Sequence, residues 1–141
     1  MLRIVLDANV YVSALIRPEG PPGQILARLL RGGDFDLVVS PSIIDETLTA
    51  FRYPKVRKYL RAAVDPALWF EDLVLLAHLV EAGPPYPPVS EDPDDDKYFA
   101  AALAGQATLV VSGDPDLLSV GNYEGVRVVT PRALRDLLAA G

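Results

Sequence analysis

This sequence predicts an α/β protein: a three-layer α/β/α fold with a mainly parallel central sheet. Short, largely apolar runs recur along the chain: Ile4-Val5-Leu6, Leu37-Val38-Val39, Leu109-Val110-Val111 and Val126-Arg127-Val128-Val129. Longer stretches of helical period separate them. Apolar runs without alternation suit strands buried on both faces, and alternating strands and helices build a parallel sheet covered by helices. The 141 residues, half of them hydrophobic, are about one domain's worth of chain with enough apolar surface for a core, so residues 1–141 are read as a single unit.

The elements follow in order. Residues 4–6 read as a buried central strand bounded by Asp7. Residues 9–16 and 22–31 read as helices, split by Arg17-Pro18-Glu19-Gly20-Pro21-Pro22, which cannot lie inside a helix. After the strand at 37–39, Ser40-Pro41 supplies a cap and first position for a helix running to about Phe51. Residues 55–63 and 66–82 continue in helical period, introduced by Pro54 and Pro66. Residues 83–88, rich in proline, form a surface connector, and Val89 closes a short strand. Asp92-Pro93 opens a helix through about Ala104, and Pro131 starts a terminal helix after the strands at 109–111 and 126–129.

Composition narrows the chemistry. There is no cysteine, which excludes thiol catalysis, disulfides and thiolate metal sites. No run of about 18 apolar residues is present, so no membrane span is expected. The apolar run after Arg3 is too short for a signal peptide, so a cytoplasmic protein is expected. The net charge is −6, against the basic footprint usual for a nucleic-acid binder, but it is unevenly spread. Arg52, Lys55, Arg57, Lys58 and Arg61 fall within ten residues that contain no acid, whereas Glu91, Asp92, Asp94, Asp95 and Asp96 fall within seven that contain no base. Two solvated helix faces would explain this distribution; so would an enzyme that uses a cation on a polyanion.

Four acids fall where such a fold gathers ligands, beyond the carboxyl ends of its strands. Asp7 ends the first strand, Glu46 lies in the helix after the second, Asp96 in the helix opened by Asp92-Pro93, and Asp114 follows the third strand after Ser112-Gly113. Clustered carboxylates raise one another's pKa, and oxygen-only clusters suit hard divalent cations such as Mg²⁺ or Mn²⁺. Asp92, Asp94 and Asp95 are explained by helix capping and the helix dipole. Asp96 shares a face with Phe99, Ala100 and Leu103, where an uncompensated carboxylate is costly. Asp116 is a further ligand or a first-turn acid. Asn9 is a cap or a group that orients a carboxylate or water, and Ser112 offers a hydroxyl.

The ordered set of motifs resembles a known family. An apolar strand leads into Asp7-Ala8-Asn9-Val10; Ser40-Pro41 precedes Glu46; then come Asp96-Lys97-Tyr98-Phe99-Ala100-Ala101-Ala102 and Leu109-Val110-Val111-Ser112-Gly113-Asp114. Together with Tyr53-Pro54-Lys55-Val56 and Asp92-Pro93-Asp94-Asp95-Asp96-Lys97, these resemble the PIN domain, and within it the VapC-like toxins of toxin–antitoxin systems. The resemblance spans about residues 2 to 138. It implies a Mg²⁺- or Mn²⁺-dependent endoribonuclease with Asp7, Glu46, Asp96 and Asp114 as metal-binding acids, Asn9 and Asp116 assisting, a small cognate antitoxin protein that blocks the site, and a homodimer. Acids at 94, 95 and 96 leave the third ligand ambiguous by a residue or two. The implied chemistry is independent of the family: a metal ion lowers the pKa of a water that attacks a phosphodiester in line, while residues 52–61 hold the RNA backbone.

Rival readings fare less well. A haloacid-dehalogenase-type phosphatase needs a second aspartate where Asn9 stands, and a receiver domain needs a lysine after a late strand, where none of Lys55, Lys58 and Lys97 falls. A metal-free ribonuclease would rely on His78, which sits in helical period with Leu75, Leu79 and Ala82 and reads as structural. A PIN scaffold that only binds RNA or a partner protein, and a DNA-directed nuclease, are the remaining alternatives.

Overall fold

The computed structural model of the chain describes residues 1–140. Six strands form one sheet: β1 (Leu2–Leu6), β2 (Phe35–Val39), β3 (His78–Leu79), β4 (Leu109–Val111), β5 (Asn122–Tyr123) and β6 (Val126–Val129). Their order is β3-β2-β1-β4-β6-β5, and every pairing is parallel except β5 with β6. Ile4, Val5 and Leu6 are all fully buried. Successive strand residues point to opposite faces, so both faces of the sheet are covered at β1, as in the expected three-layer architecture.

The flanking helices are α1 (Ala8–Ile16), α2 (Pro21–Leu30), α3 (Pro41–Ala50), α4 (Pro54–Arg57), α5 (Pro66–Leu76), α6 (Asp96–Ala104), α7 (Pro115–Leu118) and α8 (Pro131–Ala140). Local chemistry sets their starts. Asp7, Ser40, Asp65 and Asp114 each cap a helix through the side chain, and proline occupies the first turn of α2, α3, α4, α5 and α7, where its missing N–H costs nothing. Among the described residues no helix is long and apolar enough to cross a membrane.

The chain leaves β1 towards β2 on one side, and β4 occupies the other side of β1. This is the topological switch point, where a crevice opens beyond the strands' carboxyl ends. Asp7 and Ser112 are the first residues past β1 and β4 there, and the two ends are tied by the Asp7 N–H donating to the Val111 carbonyl at 3.0 Å.

The structure departs from the sequence expectations at four places. Residues 55–63 give only the single turn α4. The helix expected over 66–82 stops at Leu76, because the next residues pair with the open edge of β2: the Val80 N–H donates to the Val39 carbonyl at 2.9 Å. His78 therefore lies in an exposed edge strand, with Nε2 3.5 Å from Asp36, and not in an amphipathic helix. Val89 joins no strand. β5 was not expected; it turns back into β6 through Glu124-Gly125, both at positive φ (50° and 85°), a two-residue hairpin turn that glycine makes accessible.

Gly105 ends α6 against the sheet. A Cβ there would lie 2.6 Å from Val38 Cγ1, closer than packed atoms approach. Gly105→Ala is expected to cost about 1–3 kcal/mol through overpacking, read as a lower urea midpoint. Val38→Ala in the same chain should recover part of that loss; strictly additive losses would show that this contact does not set the packing of α6 on β2.

Candidate metal centre

The site is built at the carboxyl ends of β1 and β4 by groups that also cap helices. Asp7 is buried, with one oxygen accepting the Asn9 N–H (3.0 Å) and the other the Ser112 hydroxyl (2.7 Å). Ser112, also buried, accepts the Asp114 N–H on the same Oγ (2.9 Å). Asp114 caps α7 by accepting the Asp116 N–H (2.9 Å). One hydroxyl thus links the Asp7 carboxylate to the Asp114 backbone N–H, and the pairing of β1 with β4 makes neighbours of two acids far apart in sequence.

Glu46 enters from α3. Its Oε1 accepts the Tyr98 hydroxyl at 2.9 Å, and its Oε2 pairs with the Lys97 ammonium. The Tyr98 oxygen is also 3.3 Å from Asp7 Oδ1 and accepts the Ala8 N–H at 3.2 Å. Burial and the Asp7 charge hold the Tyr98 phenol well above its ordinary pKa, so it remains a donor. Burial lowers the Lys97 pKa, and the charge on Asp7 works against that shift.

Asp95 closes the 3-10 turn Pro93–Asp95 that leads into α6. It is buried, and its Oδ2 has no hydrogen-bond partner. Its carboxyl is pushed up to about 7, first by burial and then by the negative charges of Asp114, Asp92, Asp7 and Asp116. That set of neighbours locates Asp95 in the acid cluster. Asp96, the residue expected there, is buried as its place on the apolar face predicted. Its carboxylate, however, accepts the backbone N–H groups of Val89 (3.2 Å) and Ser90 (2.8 Å), pinning the proline-rich connector to α6. Asp96, expected in the cluster, thus commits Oδ1 to the connector, whereas Asp95, expected only as a capping acid, is the one on which the charges of Asp114, Asp92, Asp7 and Asp116 bear. Spacing along α6 could not distinguish them, because the turn before the helix sets which way each carboxylate points.

The remaining expected residues divide. Asp116 is exposed in the first turn of α7 and near enough to raise the Asp95 pKa. Asn9 is exposed and lines a small cleft with Ser13, Gly113 and Asp114. Arg52, Lys55, Arg57, Lys58 and Arg61 are all exposed on and around α4. They lie outside the acid cluster, but Tyr53 beside them shares a polar groove with Glu46 and Lys97. Lys97 and Tyr98 carried no signal as site residues, since a lysine and a tyrosine at the start of a helix are ordinary.

The donors are all oxygens, and one of them is a buried carboxylate oxygen without a partner. That chemistry fits a hard divalent cation. Among the described residues no three acids are close enough to grip an ion as they stand.

A doubly wound α/β domain with an acid cluster at the switch point defines the class of protein. The PIN-domain family model matches residues 3–116, and the chain belongs to that family. PIN domains are in general nucleases that use divalent metal ions. An uncharacterized protein of Methanocaldococcus jannaschii is 31% identical over 119 residues, covering 84% of this chain and 75% of that protein. The crystal structure of VapBC2 from Rickettsia felis, bound to a DNA fragment from its promoter, contains a chain of the same fold. It superposes with a TM-score of 0.60 at 11% identity, covering 92% of this chain and 98% of that one.

Asp95 sets a pH dependence. Its folded pKa of about 7 lies above the unfolded value of about 4. The ionised form is disfavoured by folding, so its contribution to stability is intact below pH about 4 and lost as pH rises through 7. In EDTA, melting curves of wild type minus Asp95→Asn should fall across that window and level off above it. A flat difference would show that burial and the neighbouring charges do not raise the Asp95 pKa.

Proposed function

We propose that this PIN domain is a Mg²⁺- or Mn²⁺-dependent endoribonuclease, with Asp7, Asp95 and Asp114 holding the ion and Glu46 and Asp116 assisting. The observation that carries the reading is the buried, unpartnered Asp95 oxygen among carboxylates at the switch point. Such an oxygen is costly unless something compensates it, and a divalent cation would. When bound, the ion supplies positive charge for the phosphate and lowers the pKa of a water. The chain's own groups do the rest. Ser112 and the Asn9 N–H orient Asp7; Lys97, which pairs with Glu46 and lines the polar groove, would meet a phosphate oxygen; and the exposed cations at 52–61 hold the strand by phosphate contacts.

The reading extends to biology by likeness. The R. felis chain of the same fold comes from a VapBC2 complex, which supports a cytosolic toxin whose partner is a small antitoxin that covers the site. The homodimer stands as a further proposal: Leu68, Leu75, Leu76 and Leu79 expose apolar surface along and just past α5. The rival reading of a catalytically silent scaffold is met by the same test as the nuclease.

The test is cleavage of a mixed RNA pool with Mn²⁺, with EDTA, and with a single-stranded DNA pool beside it. Wild type should cut RNA only with the metal, and Asp7→Asn, Asp95→Asn and Asp114→Asn should each slow cleavage by orders of magnitude. Asp96→Ala should instead cost about 1–3 kcal/mol of stability, from two stranded N–H groups, while its cleavage persists. Absence of cleavage under metal-replete conditions returns the protein to the scaffold reading, and preference for DNA moves it to the DNA-directed one.

Charge neutralisation separates binding from chemistry. Replacing Lys55 and Lys58 together by glutamine should weaken RNA binding and lower the salt-dependence slope by about one unit per lost contact at most, with Mn²⁺ affinity nearly unchanged. Wild-type binding and an unchanged slope would make this segment a solvated face.

A further inference from the structure

Tyr98 is fully buried on α6, packed in the core with Phe99, Ala101 and Ala102 as its buried neighbours in sequence. A phenylalanine would fill that space equally well. What distinguishes tyrosine is one oxygen, and every hydrogen-bond partner of that oxygen belongs to the acid cluster or to the start of α1: Glu46 Oε1 at 2.9 Å, Asp7 Oδ1 at 3.3 Å and the Ala8 N–H at 3.2 Å.

The three contacts have different weights. The Ala8 N–H is fixed by the backbone at the first turn of α1 and anchors the phenol oxygen. The phenol has a single proton, and the shorter distance assigns it chiefly to Glu46. Asp7 has two other donors, the Asn9 N–H and the Ser112 hydroxyl, and keeps its orientation without Tyr98. Glu46 has no such second anchor: its other oxygen holds only Lys97, at the end of a flexible four-carbon stem. A donor between two carboxylates also offsets part of their repulsion, which would otherwise swing the more mobile one outward.

We propose that Tyr98 is a positioning residue that fixes the Glu46 carboxylate against Asp7 and so presets the acid cluster to receive a divalent cation. This rests on the metal-nuclease reading above. Outer-sphere hydrogen bonds of this kind orient ligand groups, and their loss reduces metal affinity by about 10- to 100-fold.

The experiment measures Mn²⁺ binding to the full chain by electron paramagnetic resonance, with no RNA present, for wild type, Tyr98→Phe, Glu46→Ala and the double variant. Circular dichroism checks that the ring-preserving Tyr98→Phe is folded. Tyr98→Phe should weaken Mn²⁺ by about 10- to 100-fold. Because Tyr98 acts through Glu46, the double variant should bind nearly as well as Glu46→Ala alone. A merely structural hydroxyl would lower the melting temperature and leave both affinities in the cycle unmoved. Wild-type Mn²⁺ affinity in Tyr98→Phe overturns the proposal and leaves the nuclease reading standing. Losses that multiply in the double variant also overturn it, since Tyr98 would then act independently of Glu46. Absence of Mn²⁺ binding in wild type overturns the metal-dependent reading itself and the proposal with it. Should Tyr98→Phe lose its fold, Glu46→Asp serves in its place: it withdraws the carboxylate from the phenol, and wild-type affinity in that variant overturns the proposal.

Discussion

The parallel pairing of β1 with β4 is the constraint on which the rest of the structure depends. It sets Leu6 beside Val111, and so delivers Asp7, Ser112 and Asp114 to one edge although a hundred residues of chain separate the two strands. The pairing is itself held by full burial of Ile4, Val5, Leu6, Val110 and Val111. Apolar burial at roughly 25 cal/mol per Å² is the main favourable term in such a core. Hydrophobic free energy from the sheet centre is therefore what holds like charges together at its end.

The molecule manages that repulsion unequally. Asp7 is compensated by a backbone N–H and a serine hydroxyl, and Glu46 by a phenol and an ammonium. Asp96 is compensated at Oδ1 by two N–H groups of the connector. Asp95 is the exception, buried with an oxygen left over. Groups whose pKa is strongly displaced by burial and by specific charges concentrate at functional sites, and Asp95 is displaced by burial and by the charges of Asp114, Asp92, Asp7 and Asp116. The net charge of −6 has the same origin in part. Of the chain's own cations only Lys97 pairs with an acid of the cluster among the described residues, and Arg52, Lys55, Arg57, Lys58 and Arg61 are exposed on and around α4.

Sequence periodicity located the helices whose hydrophobic stripe is their own, and failed where a neighbour intervenes. Residues 66–82 carry an unbroken helical pattern, yet the chain turns extended after Leu76 because the edge of β2 offers backbone partners. A two-residue strand has no period to read. The hairpin at β5 is similarly short, and Glu124 at positive φ is not a residue that announces such a turn. By contrast the strands at 109–111 and 126–129 and the helix starts at Pro41 and Pro131 were legible to the residue, since each is decided by side chains within a few positions.

Within the site the same division holds. Asp7 and Asp114 follow strands in a fold whose alternation is written in the apolar runs, so sequence alone determined the architecture, the edge where the acids collect, and the oxygen-only chemistry available there. Tertiary structure decided that Asp96 Oδ1 binds the connector while an Asp95 oxygen is left buried without a partner, and it brought Tyr98 and Lys97 to Glu46. The physical reason is direction. A run of adjacent aspartates fixes charge and position along the chain, but a carboxylate's heading depends on the 3-10 turn beneath it and on the connector whose N–H groups claim Asp96. Those contacts exist only once distant segments have packed.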